Sequence, residues 1–339
     1  MIRRAFIVAL TSVPLIGIAT ISIALACPAT ASAQGMTASA QGMPVIGFLH
    51  SGGAQANAGI VDAFRQGLKE TGYTDKNLRI EFRWADDHNE RLPALAADLI
   101  HRGVAAIAAN SVAAVAARAA TSTIPIVFQS GIDPVVGGLV ASLGHPGGNA
   151  TGVSFFASTL EVKKLEVVHE LIPRDALVAV LVNPNNPQGA IQADELQAAA
   201  AKLKRPLTVV KAGSEAEVNE AFATLKRMNV KALVVVGDSF FNSRRKQLIA
   251  LAARDAIPVI YSNRENVDEG GLISYGASLP EAYREVGLYA GRILKGAKPA
   301  DLPVLQPTKF EMIINLKTAD ALGLTLPPAL LDRADKVIE

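Results

Sequence analysis

"AAVAARAATSTIPIVFQS", residues 113–130, and "LIALAARDAIPVIYS", residues 248–262, are two versions of one phrase. Each is an alanine-rich helical stretch that passes through Ile-Pro into a short β-branched strand. Each also follows an apolar run ending in a polar pair, Asn110-Ser111 in the earlier copy and Asp238-Ser239 in the later one. A strand–helix–strand unit that occurs twice predicts two similar lobes. Around the two copies the same alternation continues, with apolar runs at 45–49, 104–109, 126–128, 177–182, 207–210, 232–236 and 259–261. Runs apolar throughout suit parallel strands covered on both faces. Leu78, Ile80, Phe82 and Trp84 instead alternate with Arg79, Glu81 and Arg83, the pattern of a strand with one wet face near a sheet edge, where Trp84 serves packing. Helices are marked by Ser214-x-x-Glu217 and Ser158-x-x-Glu161 as capping boxes, and by stops at Gly72 and Pro173. The fold class is therefore α/β, with two doubly wound parallel-sheet lobes. Glycine- and proline-marked stretches at 144–156, 266–271 and 303–307 read as three interlobe crossings that form a hinge. They divide the chain into one lobe of residues 44–153 plus about 272–305 and another of 154–271 plus about 306–339.

The N-terminal segment reads as an address. Arg3 and Arg4 precede an uncharged apolar stretch at 5–26, and "TASAQGM" follows twice, at 30–36 and 37–43. Each copy carries Ala-x-Ala, the small-residue pattern of a signal-peptidase site, so residues 1–33 form a signal peptide with cleavage after 40 as the alternative. The apolar stretch is also long enough for an uncleaved anchor. Cys27, the single cysteine, follows "IALA", a permissive lipoprotein box, which makes a lipid anchor the alternative to a free periplasmic protein. Without Arg3 and Arg4 the chain carries equal numbers of basic and acidic residues. A balanced surface offers no electrostatic attraction to nucleic acid or an anionic membrane. Half the residues are hydrophobic, so a core rather than disulfides holds the exported part together.

From about Pro44 to the C-terminus, "IPIVF", "DPVVGGLVASL", "HPGGNATGVS", "VNPNNP" and "YREVGLYAGRILKGAKPADLPVLQPTKFEMIINLKTADALGLTLPP" resemble the periplasmic substrate-binding proteins of ABC transporters, type I fold, in the tryptophan-binding-like family. The resemblance implies two lobes that close over a small molecule and hand it to an ABC permease with its ATPase. It further implies a monomer with no cofactor, and an amino-acid-like solute, aromatic by the family's name.

In parallel α/β sheets, ligand-binding loops lie beyond the carboxyl ends of the strands. That rule selects Ser51, Gly52, Asn110, Ser111, Gln129, Ser130 and Asp133 in the first lobe, with Ser154 and Phe155 at the crossing. In the second lobe it selects Asn183, Asn185, Asp238, Tyr261 and Asn263. Ser51 or Ser111 at a helix start suits a carboxylate, since free N–H groups and the helix dipole favour negative charge. Asp238 suits an ammonium group or sugar hydroxyls. Structural duties compete: Ser111 and Asp238 would serve as N-caps, and Asp133 and the Asn183–Asn185 stretch as turn formers. Phe155, Phe156, Phe240, Phe241 and Tyr261 could cover an aromatic ligand or belong to the core. His145 has no second ligand at metal spacing, so no metal site is expected.

An enzyme would need signals that are missing. The first loop, "HSGGAQANAG", is not Gly-x-Gly-x-x-Gly, there is no Gly-Lys-Ser/Thr phosphate loop, and "GDSFF" lacks the last glycine of a nucleophile elbow. The remaining rival is a periplasmic sensor reporting to a membrane receptor, since the same fold serves that role.

Overall fold

The computed structural model describes residues 42–339 apart from 132, 156 and 308–309. The export signal, both Ala-x-Ala sites, Cys27 and Phe156 lie outside the described residues.

Among the described residues twelve strands fall into two sheets. The first holds β1 (Val45–His50), β2 (Arg79–Trp84), β3 (Ala106–Asn110), β4 (Ile126–Ser130) and β5 (Ala150–Ser154) in the order β2-β1-β3-β4-β5, every neighbouring pair parallel. β2, the strand with alternating charge, is at the edge. Successive side chains of a strand point to opposite faces. Ile46 and Phe48 accordingly meet Phe64, Leu68, Tyr283 and Val286 from the helices Ala58–Glu70 and Leu279–Leu294, whereas Leu49 and Ile107 meet Leu92, Leu99 and Ala113 on the other face. The first two helices pack backbone to backbone. A Cβ at Gly67 would collide with the Arg284 carbonyl, and one at Gly287 with that of Phe64, so glycine at both positions permits the approach.

The second sheet holds β6 (Val178–Val182), β7 (Leu207–Lys211), β8 (Ala232–Val235), β9 (Val259–Tyr261), β10 (Ile273–Ala277), β11 (Phe310–Asn315) and β12 (Lys336–Ile338) in the order β12-β11-β10-β9-β8-β6-β7. It is parallel up to β10, and β11 pairs antiparallel with β10. The reason lies in the crossings. β10 leads out of the lobe at its carboxyl end, and the chain re-enters the lobe from the same side, so β11 must run the other way.

The sequence reading returned the chain to the first lobe near residue 272. The sheet differs: residues 273–277 pair with β9 and β11, and Leu279–Leu294 is the first element to rejoin the first lobe's core. The first and third crossings lie side by side, since Ser154 N–H donates to Leu305 O at 2.9 Å and Leu305 N–H to Gly152 O at 2.9 Å. The stretch 144–156, read as a crossing throughout, contains β5 itself. Gly152, with φ +159°, sits so close to the Phe128 backbone that a side chain there would collide with it.

Ser214 caps its helix as the sequence indicates, its Oγ accepting from Glu217 N–H at 3.3 Å while Glu217 Oε2 accepts from Gly213 N–H at 2.6 Å. The second box differs. The helix begins at Ala157, which places Ser158 inside it, and Glu161 turns into the protein to meet Lys164.

Candidate functional site

The carboxyl ends of the two sheets face one another, and polar contacts close the rim between them. Asn110 Nδ2 donates to Ser239 Oγ at 3.0 Å, Ser243 Oγ to Asp87 Oδ1 at 3.3 Å, and Asn89 Nδ2 to the Asn185 carbonyl at 3.4 Å. Between them lies a cavity of about 140 Å³. That is room for roughly ten water-sized groups, the scale of one amino acid.

Of the residues selected from sequence, Ser51, Asn110, Ser111, Gln129, Phe155, Asn183, Asp238 and Asn263 line this cavity. The structure places the others elsewhere. Tyr261, Ser130 and Ser154 are buried within their lobes, with Tyr261 in the second lobe's core; a strand-end position does not tell which face a side chain takes. Asp133 is exposed and holds a turn, accepting from Val135 N–H at 2.8 Å. Asn185 is at the rim, donating to the Gly213 carbonyl. Gly52 stands behind the wall, its N–H bonded to His50 Nδ1 at 3.0 Å. Trp84 packs on Phe82, Phe48 and His50.

One end of the cavity is polar. Asn110, not Ser111, occupies the N-cap of the helix Ser111–Ala120, and it spends its side chain on Ser51, accepting from Ser51 N–H at 3.1 Å and donating to Ser51 Oγ at 2.7 Å. Ser111 Oγ accepts from Gly131 N–H at 3.1 Å. Across the cavity Asp238 does cap its helix, accepting from Phe240 N–H at 2.8 Å, and it also accepts from Asn183 Nδ2 at 3.0 Å and Asn186 Nδ2 at 2.7 Å. Its carboxylate is thus aimed by three donors.

Several lining residues were not selected from sequence, and Asp87 is the most telling. Its backbone is left-handed, φ +66°, as is that of Asp86, so the "DD" pair in the loop after β2 is held in a turn that few residues tolerate. Burial raises the Asp87 carboxyl to about 6; the Ser243 hydrogen bond and Arg244 oppose this, and Asp238 and Asp86 reinforce it. Asp87 and Asp238, one from each lobe, therefore feel each other across the cleft. Two adjacent acids in a turn were the available signal, but an ordinary exposed loop reads the same way.

Glu161 and Lys164 form the cavity's other charged group. Lys164 is fully buried, and its Nζ sits 2.7 Å from Glu161 Oε1 and 2.6 Å from Oε2. It also donates to Ser262 Oγ at 2.6 Å and to the Val235 carbonyl at 3.2 Å. Burial pulls the Lys164 ammonium below its usual range, and Glu161 counters. A lysine in the middle of an amphipathic helix gives no sequence sign that it points inward.

The other end is apolar and aromatic, made by Ile60, Phe155, Leu160, Tyr275, Leu279 and Tyr283. Among the described residues no group of three or more His, Cys, Asp or Glu could hold a metal ion, and no helix is long and apolar enough to cross a membrane.

Residues 43–338 match the family described as ABC transporter substrate binding protein. The tyrosine-binding protein of Clostridioides difficile is 31% identical over 263 residues, covering 77% of this chain and 75% of that protein. The ABC domain of Streptococcus pneumonia in complex with L-Trp superposes with a TM-score of 0.79 at 26% identity, covering 87% of this chain and 99% of that one. A ligand-free, open substrate binding protein with adhesive properties from Clostridium difficile has the same identity and coverages but a TM-score of 0.62. At equal identity the chain superposes better on the liganded relative than on the open one. The extent of the match and the two-lobed architecture lead to one conclusion: the chain belongs to the ABC transporter substrate-binding proteins, solute-binding proteins of the type I periplasmic fold and not enzymes.

Proposed function

We propose that the protein captures one aromatic amino acid outside the cytoplasm and presents it, unaltered, to an ABC permease and its ATPase. The observation that carries this reading is the cavity between the lobes, one amino acid in scale, polar at one end and aromatic at the other, with a wall from each lobe. Asp238 and Asp87 suit the solute's ammonium. Ser51, Ser111 and the start of the helix Ser111–Ala120 suit its carboxylate, by the helix-end preference for anions. Hinge closure then buries both ends together. The names of the tyrosine-binding and L-Trp-bound relatives support the solute class. The N-terminal signal supports export, with release into the periplasm as a monomer.

Isothermal titration of residues 44–339 with L-tyrosine, L-tryptophan and L-phenylalanine is the direct test. A dissociation constant near micromolar, about −8 kcal/mol, is the expected result for at least one of them. A thermal-shift screen gives the same answer, because ligand at 100 times its dissociation constant adds about 2.7 kcal/mol of stability. If none of the three binds and an unrelated solute does, the assignment of solute class is wrong.

The reading also fixes a pH dependence. Asp87 titrates at about 6 in the folded protein against 3.8 in the unfolded chain, so its contribution to stability is present below 3.8 and lost as pH rises through about 6. Ligand affinity moves the opposite way. An ammonium facing Asp87 gains an ionised partner as pH rises from 5 to 7, and titration at the two values is expected to show tighter binding at pH 7. Equal affinity at both would remove Asp87 from the ammonium site.

A further inference from the structure

At the aromatic end of the cavity two polar atoms stand without protein partners. Tyr283 is 1% exposed, and its hydroxyl is buried with no hydrogen bond. His50, 3% exposed, accepts the Gly52 N–H at Nδ1, which fixes the proton on Nε2, and that N–H has no partner among the described residues. Both residues line the cavity, and their rings lie 6.4 Å apart, centroid to centroid. Buried polar groups are nearly always satisfied, so the unpaired Tyr283 hydroxyl, beside a histidine N–H that opens onto the same cavity, indicates what the ligand supplies. Of the other buried atoms lacking hydrogen bonds, only Glu161 Oε2 belongs to a lining residue, and Lys164 covers it.

Their chemistry narrows the missing group. His50 Nε2–H can only donate, and burial lowers the imidazole to about 3, so it stays neutral in the physiological range. Burial raises the Tyr283 hydroxyl, which stays protonated and also donates. A ligand atom that meets the His50 N–H must therefore accept, and the Tyr283 hydroxyl can donate to the same kind of atom. That atom must also be uncharged. The surroundings are Phe48, Trp84 and Phe155, and Lys164, the cavity's buried cation, is committed to Glu161. An ionised carboxylate would lose its hydration there without a counter-charge.

We propose that His50 and Tyr283 form the side-chain subsite of the cavity, built for an uncharged oxygen on the solute's aromatic ring, and that the protein thereby ranks L-tyrosine above L-phenylalanine and L-tryptophan. The inference rests on the aromatic amino-acid reading above and specifies it. Phenylalanine leaves both atoms unpaired, and the indole N–H of tryptophan cannot accept from His50. Sites built around a substrate hydroxyl reject analogues lacking it because their own buried groups are then left unsatisfied.

The test is titration of wild-type protein and Tyr283→Phe with the three amino acids. Wild type is expected to bind L-tyrosine about ten- to a hundredfold more tightly than L-phenylalanine, by the usual cost of an orphaned buried group. In Tyr283→Phe the tyrosine affinity falls, the phenylalanine affinity holds or rises, and the gap narrows at least threefold, while the melting temperature without ligand is unchanged or higher. The wild-type ranking needs no variant and stands even if Tyr283→Phe folds poorly. Equal wild-type affinity for tyrosine and phenylalanine overturns the subsite but leaves aromatic amino-acid capture intact, as does an unchanged gap in the folded variant. Failure of all three to bind overturns both.

Discussion

Replacing Lys164 by methionine is expected to lower the stability of the folded protein by about 3–5 kcal/mol, the cost of removing one partner of a buried ion pair. The size of the effect follows from what the ammonium leaves behind. Glu161, 2% exposed, would retain only the Gly237 N–H at 3.3 Å, Ser262 Oγ would lose its donor, and the Val235 carbonyl would keep only the Ser262 hydroxyl at 3.4 Å. These groups come from the first helix after a crossing, from the end of β8 and from the turn after β9, so a single side chain fastens three elements at the base of the cavity. The double variant Glu161→Leu with Lys164→Met should recover most of the loss, because a well-packed apolar pair replaces a buried ion pair at little net cost. Thermal and denaturant melts of the ligand-free proteins check both. A single variant within about 1 kcal/mol of wild type, the range of exposed pairs, would show the lysine to be solvated and the buried network misassigned.

Asp238→Ala is expected to weaken aromatic amino-acid binding about ten- to a hundredfold, since a hydrogen bond to a charged group contributes about 1.5–3 kcal/mol. The protein stays folded. Loss of the cap on Phe240 N–H costs about 0.5–2 kcal/mol, and Asn183 and Asn186 each lose an acceptor. Asp238→Asn separates the duties in part: its oxygen can still accept from Phe240 N–H and Asn183, but its NH2 meets the Asn186 amide donor and it no longer offers charge, so its melt should lie between wild type and the alanine variant while its affinity falls almost as far as in the alanine variant. Titration and melting of both variants decide the matter. An alanine variant binding within twofold of wild type would reduce Asp238 to the helix cap that the bare sequence equally allowed.

How far the sequence carried differs by element. The apolar runs at 178–182, 232–235 and 259–261 were legible because strands buried on both faces must be apolar throughout, and nothing but burial explains such runs. β5 and β10 were not, because Gly152 and Gly276 and small neighbours serve close backbone approach there, and glycine in a strand looks like punctuation. Missing β10 displaced the second crossing by several residues. In the site, the strand-end rule found Asn110, Asn183 and Asp238 because topology alone carries those positions to the cleft. Tyr283 and Lys164 were invisible to it. Both lie on helices one turn or more from any strand end, yet line the cavity.

The claim on which the rest depends is that two lobes close over the solute. Small-angle X-ray scattering of residues 44–339, recorded without ligand and again with saturating L-tyrosine, tests it most directly. The account predicts a smaller radius of gyration with ligand, matching the closed arrangement in which Asn110 reaches Ser239 and Asn89 reaches Asn185. Identical scattering from the two samples, with binding confirmed by titration, would contradict it.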